Sequence, residues 1–289
     1  MALVAKPGGP PPGERPTSHD VVETVRRALG TDRVGHLGTL DPLASGLLVV
    51  LVGRATRLAA FALAWDKTYE GVIRLGVATT TDDVTGRPVT TSEAWRGLDR
   101  ARVEQALAMF RGSYDQRPPA YSAVKVAGER AYRRARRGEQ VAPPPRRVTV
   151  TELELVRMAA PDVWFRATVS GGTYLRSLAR DVGDALGCGA HLAALTRTRV
   201  GPYRLADAIA PETITVRDLR DPAPLVGDLP RQALDEAGRA AVVHGRPLRA
   251  GDGAPEIGGR VALFWGEQLV AVAERVGEWL KPRVVVAES

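Results

Sequence analysis

One carboxylate, Asp41, sits in the run Val34-Gly35-His36-Leu37-Gly38-Thr39-Leu40-Asp41-Pro42-Leu43-Ala44-Ser45-Gly46, between a glycine-punctuated loop and a block of apolar residues. Pro42 disfavours the right-handed helical region for the residue before it and suits a first helical position, so the order predicts Asp41 at a loop-to-helix corner. A carboxylate there has two uses. It can cap the free N–H groups of a helix start, the ordinary role of Asp before Pro, or it can serve as acid, base or nucleophile toward something held against the loop. Local chemistry alone favours the cap, and the chemical use requires partners from elsewhere in the chain.

The elements that would supply them can be read in order. Thr17 or Ser18 caps a helix with Val21, Val22, Val25, Ala28 and Leu29 as its buried stripe and Gly30 past its end. Leu47 to Val52 reads as a buried strand; Arg54 and Arg57 follow on a Gly-Arg-Ala-Thr-Arg segment that suits phosphate contact or a solvated surface. Lys67 to Leu75 alternates, with Tyr69, Gly71, Ile73 and Leu75 on one face. Tyr69 therefore points coreward, as a core tyrosine or as an aromatic floor under a base. Thr79 to Arg87, with Asp82 and Asp83 near Gly86, reads as a polar turn rather than a cation site.

A further helix from Asp99 carries Val103, Ala106, Leu107 and Phe110 and closes at Gly112. After Arg117-Pro118-Pro119 comes the densest positive charge in the chain, Arg130, Arg133, Arg134, Arg136 and Arg137 around Tyr132. Such a run is either a solvated helix face or a surface for phosphates and bases. Pro143-Pro144-Pro145 then acts as a stiff spacer. From Val148 to Val156 the apolar set moves from even positions (Val148, Val150) to odd ones (Leu153, Leu155), which predicts a bulge or a turn. Val163, Phe165, Ala167 and Val169 form a strand face ending at Gly171-Gly172, and Leu175, Leu178, Ala179, Val182 and Leu186 the inner stripe of a helix. Tyr174 and Arg176 fall in its first turn, just off the strand end. Arg176 then has a surface reading, paired along its own helix near Arg180 and Asp184.

The composition narrows the function. With 289 residues, 44% hydrophobic and 25% charged, the chain is long enough for one large domain and a small one, and is ordinary for a globular protein. A net charge of +7 and a pI near 10.0 favour a polyanionic partner. The plain apolar run Leu47 to Val52 is far short of the roughly 20 residues of a spanning helix, so a membrane role is disfavoured. The amino terminus turns at once into glycine and proline, so no export signal and a cytoplasmic location are expected. Cys188 is the only cysteine, which excludes an intrachain disulfide and a thiolate zinc cluster and leaves a buried or incidental thiol. His19, His36, His191 and His244 show no metal-ligand spacing, and no phosphate-cradling Gly-x-x-x-x-Gly-Lys-Ser/Thr occurs. Neither a metal nor another cofactor is expected. Pro211 to Pro230 reads as a connection. From about Ala233, short runs at Val261 to Trp265, Leu269 to Ala273 and Val284 to Val286, with glycine turns between them, have the pattern of a small β-barrel.

The run from Gly35 to Gly46 resembles the active-site motif of the bacterial tRNA pseudouridine-55 synthases, the TruB family. Lys67-Thr68-Tyr69-Glu70, Ser170-Gly171-Gly172-Thr173-Tyr174-Leu175-Arg176 and Leu195 match further motifs of that family, so the likeness runs from Lys6 to about Tyr203. The segment Glu278 to Val284 resembles the end of a PUA domain, a common RNA-binding appendage. The resemblance implies an α+β protein. A catalytic domain over residues 1–229 has a mixed, largely antiparallel sheet of the pseudouridine synthase fold and a basic RNA-gripping insertion at about 117–147; a small PUA-like β-barrel occupies 230–289.

By the same resemblance Asp41 is the catalytic residue, paired with Arg176. Tyr69 stacks on the target uracil, Tyr174 and Leu195 line its pocket, and His36 enters the RNA loop among its displaced bases. Lys6 takes a supporting role, although Ala5 stands where the family has Asp, and the Gly8–Pro16 loop is several residues longer than usual. Arg54, Arg57, Arg130, Arg133, Arg134 and Arg137 are candidates for the RNA backbone. The implied partner is the T-arm stem-loop of tRNA, met by a monomer with no obligatory protein or guide RNA. The competing reading is a tRNA-binding or tRNA-folding protein of this architecture without catalysis.

Overall fold

The computed structural model describes residues 1–8, 16–251 and 253–287, so most of the predicted Gly8–Pro16 loop lies outside the described residues. The central element is a nine-stranded sheet. Its main path runs Ala2–Lys6, Ser45–Val52, Ala190–Val200, Lys67–Leu75, Asp162–Val169, Arg146–Ala159, Gly112–Gln116, with Val34–His36 and Tyr203–Arg204 paired alongside. Only the contact of Ser45–Val52 with Ala190–Val200 is parallel, so the sheet is mixed and largely antiparallel, as predicted.

The alternation of Lys67–Leu75 is kept, with Tyr69, Gly71, Ile73 and Leu75 turned inward. The predicted bulge falls between Val150 and Glu152, where the register against Val169 and Thr168 slips; the slip is what lets both apolar sets of one strand face one core. The helices Arg100–Ala108 and Leu175–Ala185 cover that face through Val103, Leu107, Leu178 and Val182. The helix Ser18–Leu29 covers the strands at the other end of the sheet; Thr17 and Asp20 close a capping box, and Gly30 terminates it at φ 62°.

Three local expectations are corrected. Ala28 is exposed and Leu29 half-buried, because the helix packs through the narrower stripe of Val21, Val22 and Val25. Gly112 opens a strand instead of closing the preceding helix, which stops at Ala108. Pro42 begins a turn, not a helix: the Ala44 N–H donates to the Asp41 carbonyl at 3.0 Å, and Ser45 already belongs to a strand, leaving no room for a helical turn.

Gly46 sits at the point where that strand meets two neighbours, opposite Lys6 and Arg197. Its φ is +110°, and a Cβ there would lie 2.3 Å from the Arg197 carbonyl oxygen and 2.6 Å from its nitrogen. Both obstacles are backbone and cannot swing aside. Gly46→Ala is expected to destabilise the protein by about 2 kcal/mol or more in urea unfolding, whereas an unchanged midpoint would show that the strand can shift.

The carboxy-terminal part forms a five-stranded sheet, ordered Arg231–Ala233, Arg260–Trp265, Gln268–Val276, Trp279–Val285, Leu248–Arg249. Among the described residues its two edge strands are not paired with each other, so the small β-barrel expected is present as a five-stranded sheet open between those edges. Its fourth strand starts at Trp279, earlier than predicted. Pro282, which has no N–H to donate, is accommodated where the register slips between Val272 and Ala273. The helix Glu236–Val243 covers one face of this sheet through Val242. The opposite face presents Ala262, Phe264, Leu269 and Val272 to the same apolar cluster as Leu3, Leu47, Val49 and Leu51 of the large sheet. No described helix is long and apolar enough to cross a membrane.

Candidate active site

Asp41 and Arg176, 135 residues apart in the chain, meet in a two-pronged ion pair. Arg176 Nε donates to Oδ2 of Asp41 and Nη2 to Oδ1, both at 3.0 Å. The arginine side chain is 6% exposed and the aspartate 32%, so a buried cation presents a carboxylate that remains open to the outside. Two of the three remaining donors of the fork are used as well: Nη1 meets the Thr81 carbonyl and Nη2 the Tyr121 carbonyl, each at 3.1 Å. So held, the planar guanidinium has one orientation, and it fixes that of the carboxylate. Burial disposes of the surface reading of Arg176.

A second carboxylate lies behind the pair. Asp83 is buried and its Oδ2 is 3.7 Å from Arg176 Nε. It is held by the Thr81 hydroxyl and the Thr85 N–H, both at 2.8 Å, and by the Thr85 hydroxyl. The polar-turn reading of Thr79 to Arg87 describes its backbone; it misses that the turn delivers this carboxylate to Arg176.

Lys6 is buried under the Asp41 turn, where its ammonium donates to the carbonyls of Ala44 at 2.5 Å and Pro42 at 3.3 Å. Burial holds its pKa down to about 8, against the opposing pull of Asp41 and Asp20. Between about pH 8 and 10.5 the unfolded chain therefore keeps a proton that the folded chain has lost, so the contribution of Lys6 to stability rises with pH across that window. In Lys6→Met this part of the rise is expected to vanish, read as a flatter pH dependence of the urea midpoint than in wild type. Parallel curves would refute it.

Tyr69 and Leu195 are 7% and 6% exposed and belong to one apolar cluster with Leu40, Leu43, Ala44 and Leu175, which come from the two segments that carry Asp41 and Arg176. Tyr174, half-buried, is the residue from which the Arg176 helix starts. His36 ends a short strand beside the loop. Its Nδ1 is buried without a partner among the described residues, and burial followed by the charge of Arg197 lowers its pKa, which favours the neutral ring. Arg197 itself is fully buried and was not anticipated; it donates to the carbonyls of Gly38 at 3.0 Å and Leu47 at 2.8 Å, one on each side of the Asp41 loop. The signal was present, since Leu195 and Arg197 fall on the same inward face of an alternating strand.

Other candidates lie apart from this centre. Arg54 and Arg57 donate to the carbonyls of Ala287 and Val285, binding the carboxy-terminal sheet to the large one. In the basic insertion, Arg134 is paired with Glu139 at 2.6 Å, and Arg137 with Glu129 and Glu139, both at 2.7 Å. Arg133 is exposed and bonded to the Tyr132 hydroxyl at 3.4 Å, and Arg130 is exposed. Two of the five arginines in the predicted basic cluster, Arg134 and Arg137, are thus paired with carboxylates. Cys188 is buried and free.

Comparison with known proteins agrees with this geometry. Residues 26–175 match the N-terminal domain of the TruB family pseudouridylate synthases, and residues 176–235 the tRNA pseudouridylate synthase B C-terminal domain. A tRNA pseudouridine synthase B of Thermobifida fusca is 44% identical over 100% of this chain and 99% of that protein; one of Azoarcus is 40% identical over 99% and 94%. Among solved structures, a chain of an H/ACA RNP bound to a substrate RNA containing 2'-deoxyuridine is 25% identical and superposes with a TM-score of 0.70, covering 99% of this chain and 85% of that one. A chain of the archaeal box H/ACA sRNP Nop10–Cbf5 complex gives the same identity and score. With its motif carboxylate seated on a buried arginine and nearly its whole length matched, the chain belongs to the TruB family of pseudouridylate synthases.

Proposed function

We propose that the protein isomerises a uridine of tRNA to pseudouridine, and that the uridine is the one at position 55 in the T loop. The observation that carries the reading is the Asp41–Arg176 pair, a carboxylate held from behind by a buried cation and open in front. The reaction breaks the C1′–N1 bond and joins C1′ to C5 of the same uracil; N1 gains a proton and C5 loses one. It has no net redox change and transfers no phosphoryl group, so one placed carboxylate and a dry, base-shaped surface suffice as the protein's equipment. Asp41 serves the bond exchange, Arg176 orients it, and Tyr69, Tyr174 and Leu195 receive the uracil once it has left its stack. Unstacking a base costs a few kcal/mol, offset by contact with such a surface.

In this reading His36 enters the T loop and fills space vacated by the displaced bases. Arg130 and Arg133, which carry no carboxylate partner in the described contacts, suit the phosphates better than Arg134 and Arg137. We divide the chain into a catalytic domain, 1–229, with an RNA-gripping insertion at about 117–147, and a PUA-like RNA-binding domain, 230–289. The protein acts as a cytoplasmic monomer without a guide RNA. The test is release of tritium from the uracil 5-position of a tRNA transcript. Release is expected from the normal transcript and not from one whose T-loop uridine is replaced by cytidine. Protein that binds the transcript but releases nothing would sink the enzymatic reading, and equal release from both transcripts would sink the position.

A further inference from the structure

Two residues that touch neither Asp41 nor Arg176 in the described contacts share an unusual geometry. The Ser18 hydroxyl accepts from the Leu40 N–H at 2.9 Å and donates to the Leu40 carbonyl at 3.1 Å, so one side chain occupies both backbone groups of the residue before Asp41. The Gln116 amide does the same to Tyr174: its Oε1 accepts from the Tyr174 N–H at 2.9 Å and its Nε2 donates to the Tyr174 carbonyl at 3.1 Å. Its second amide hydrogen goes to the Tyr114 hydroxyl at 2.9 Å. Ser18 and Gln116 are 2% and 0% exposed. Each comes from an element far away in sequence, the first helix and the last strand of the main sheet.

We propose that Ser18 and Gln116 are positioning residues for the reaction, clamping the peptides on the two sides of the Asp41–Arg176 pair so that the two prongs close together. Neither clamp is needed to begin the element it touches. Leu40 lies in a loop with no regular pairing, and the Tyr174 carbonyl already accepts the first helical N–H, from Leu178 at 3.1 Å. What each clamp fixes is the rotation of one peptide, and with it the direction in which a side chain one or two residues later leaves the backbone. A two-pronged pair is sensitive to that direction, because a tilt of either plane lengthens one prong. The Gln116 amide has only one workable orientation, since its oxygen must meet an N–H and its nitrogen a carbonyl.

The inference rests on the pseudouridine synthase reading, and its test separates the two. Single-turnover tritium release and tRNA affinity are measured for wild type, Ser18→Ala and Gln116→Met, and again with both substitutions placed singly in an Arg176→Lys background. In the native background each is expected to slow the chemical step about tenfold or more while the dissociation constant for tRNA stays within about twofold. In the Arg176→Lys background, where the prongs are already lost, each is expected to cost less than about twofold. Ser18→Thr, which keeps the hydroxyl, restores most of the rate lost in Ser18→Ala. Gln116→Glu, which keeps the acceptor and loses the donor, carries the same comparison if Gln116→Met does not fold. An unchanged chemical step in the native background, or an equal loss in both backgrounds, overturns the positioning role. Wild-type protein that releases no tritium overturns the enzymatic reading instead.

Discussion

Asp41→Asn is expected to lower tritium release from uracil-labelled tRNA by at least about 10³-fold and to leave tRNA binding nearly intact. Asparagine keeps the shape of aspartate and can still accept one guanidinium N–H, so the loop and its turn to Ala44 have no reason to rearrange. What it loses is the charge and one acceptor. Its amide NH₂ then faces a donor of Arg176, a mismatch worth about 1–3 kcal/mol of stability. The two readouts thus move apart: activity disappears, binding survives, and folding changes modestly. Substantial residual release would mean that a different group performs the chemistry. Loss of binding together with activity would mean that Asp41 shapes the RNA surface rather than acting on the base.

Arg176→Lys is expected to lower the rate about 10²-fold, less than Asp41→Asn, and to destabilise the fold more. An ammonium is a single point. It cannot span both oxygens of Asp41 while also satisfying the carbonyls of Thr81 and Tyr121, which Arg176 now meets at 3.1 Å. At least one part-buried carbonyl is left without a donor, and Asp83 loses its nearby cation. Together these cost about 2–5 kcal/mol. The check is a pair of measurements on one sample, a urea unfolding curve and the single-turnover rate at a temperature where the variant is fully folded. A near-normal rate would show that charge alone, without the fork, suffices.

Much of the scaffold is legible in the order of the residues. The change of apolar parity between Val150 and Leu153 marks the bulge, and alternation turns Tyr69 inward, because a strand has a strict period of two and a buried face cannot hide a slip. The capped helix of Ser18–Leu29 is equally plain. Where residue patterns mislead, the deciding force comes from tertiary context. Pro42 is compatible with a helix start or a turn, and only the strand beginning at Ser45 selects the turn. The ties of Arg54 and Arg57 to the carboxy-terminal segment are hidden because their partners are the backbone carbonyls of Ala287 and Val285, and a carbonyl has no signature in a sequence. Ser18 and Gln116 are hidden for the same reason. Asp83 is invisible on its own, since an aspartate in a threonine-rich turn is commonplace and nothing local points it toward a helix nearly a hundred residues later.

The face that Ala262, Phe264, Leu269 and Val272 share with Leu3, Leu47, Val49 and Leu51 bears on how the molecule comes apart. Two sheets with separate cores could melt in succession, and the second could swing on its connection. Here the strand that carries Leu47, Val49 and Leu51 is also the one that leads out of the Asp41 turn. Loss of the carboxy-terminal sheet would strip apolar cover from it, so unfolding is coupled across the whole length of the chain. The distal sheet therefore acts as part of the scaffold beneath the Asp41 turn, and a truncated chain would lose cooperativity while Asp41 and Arg176 were both still present.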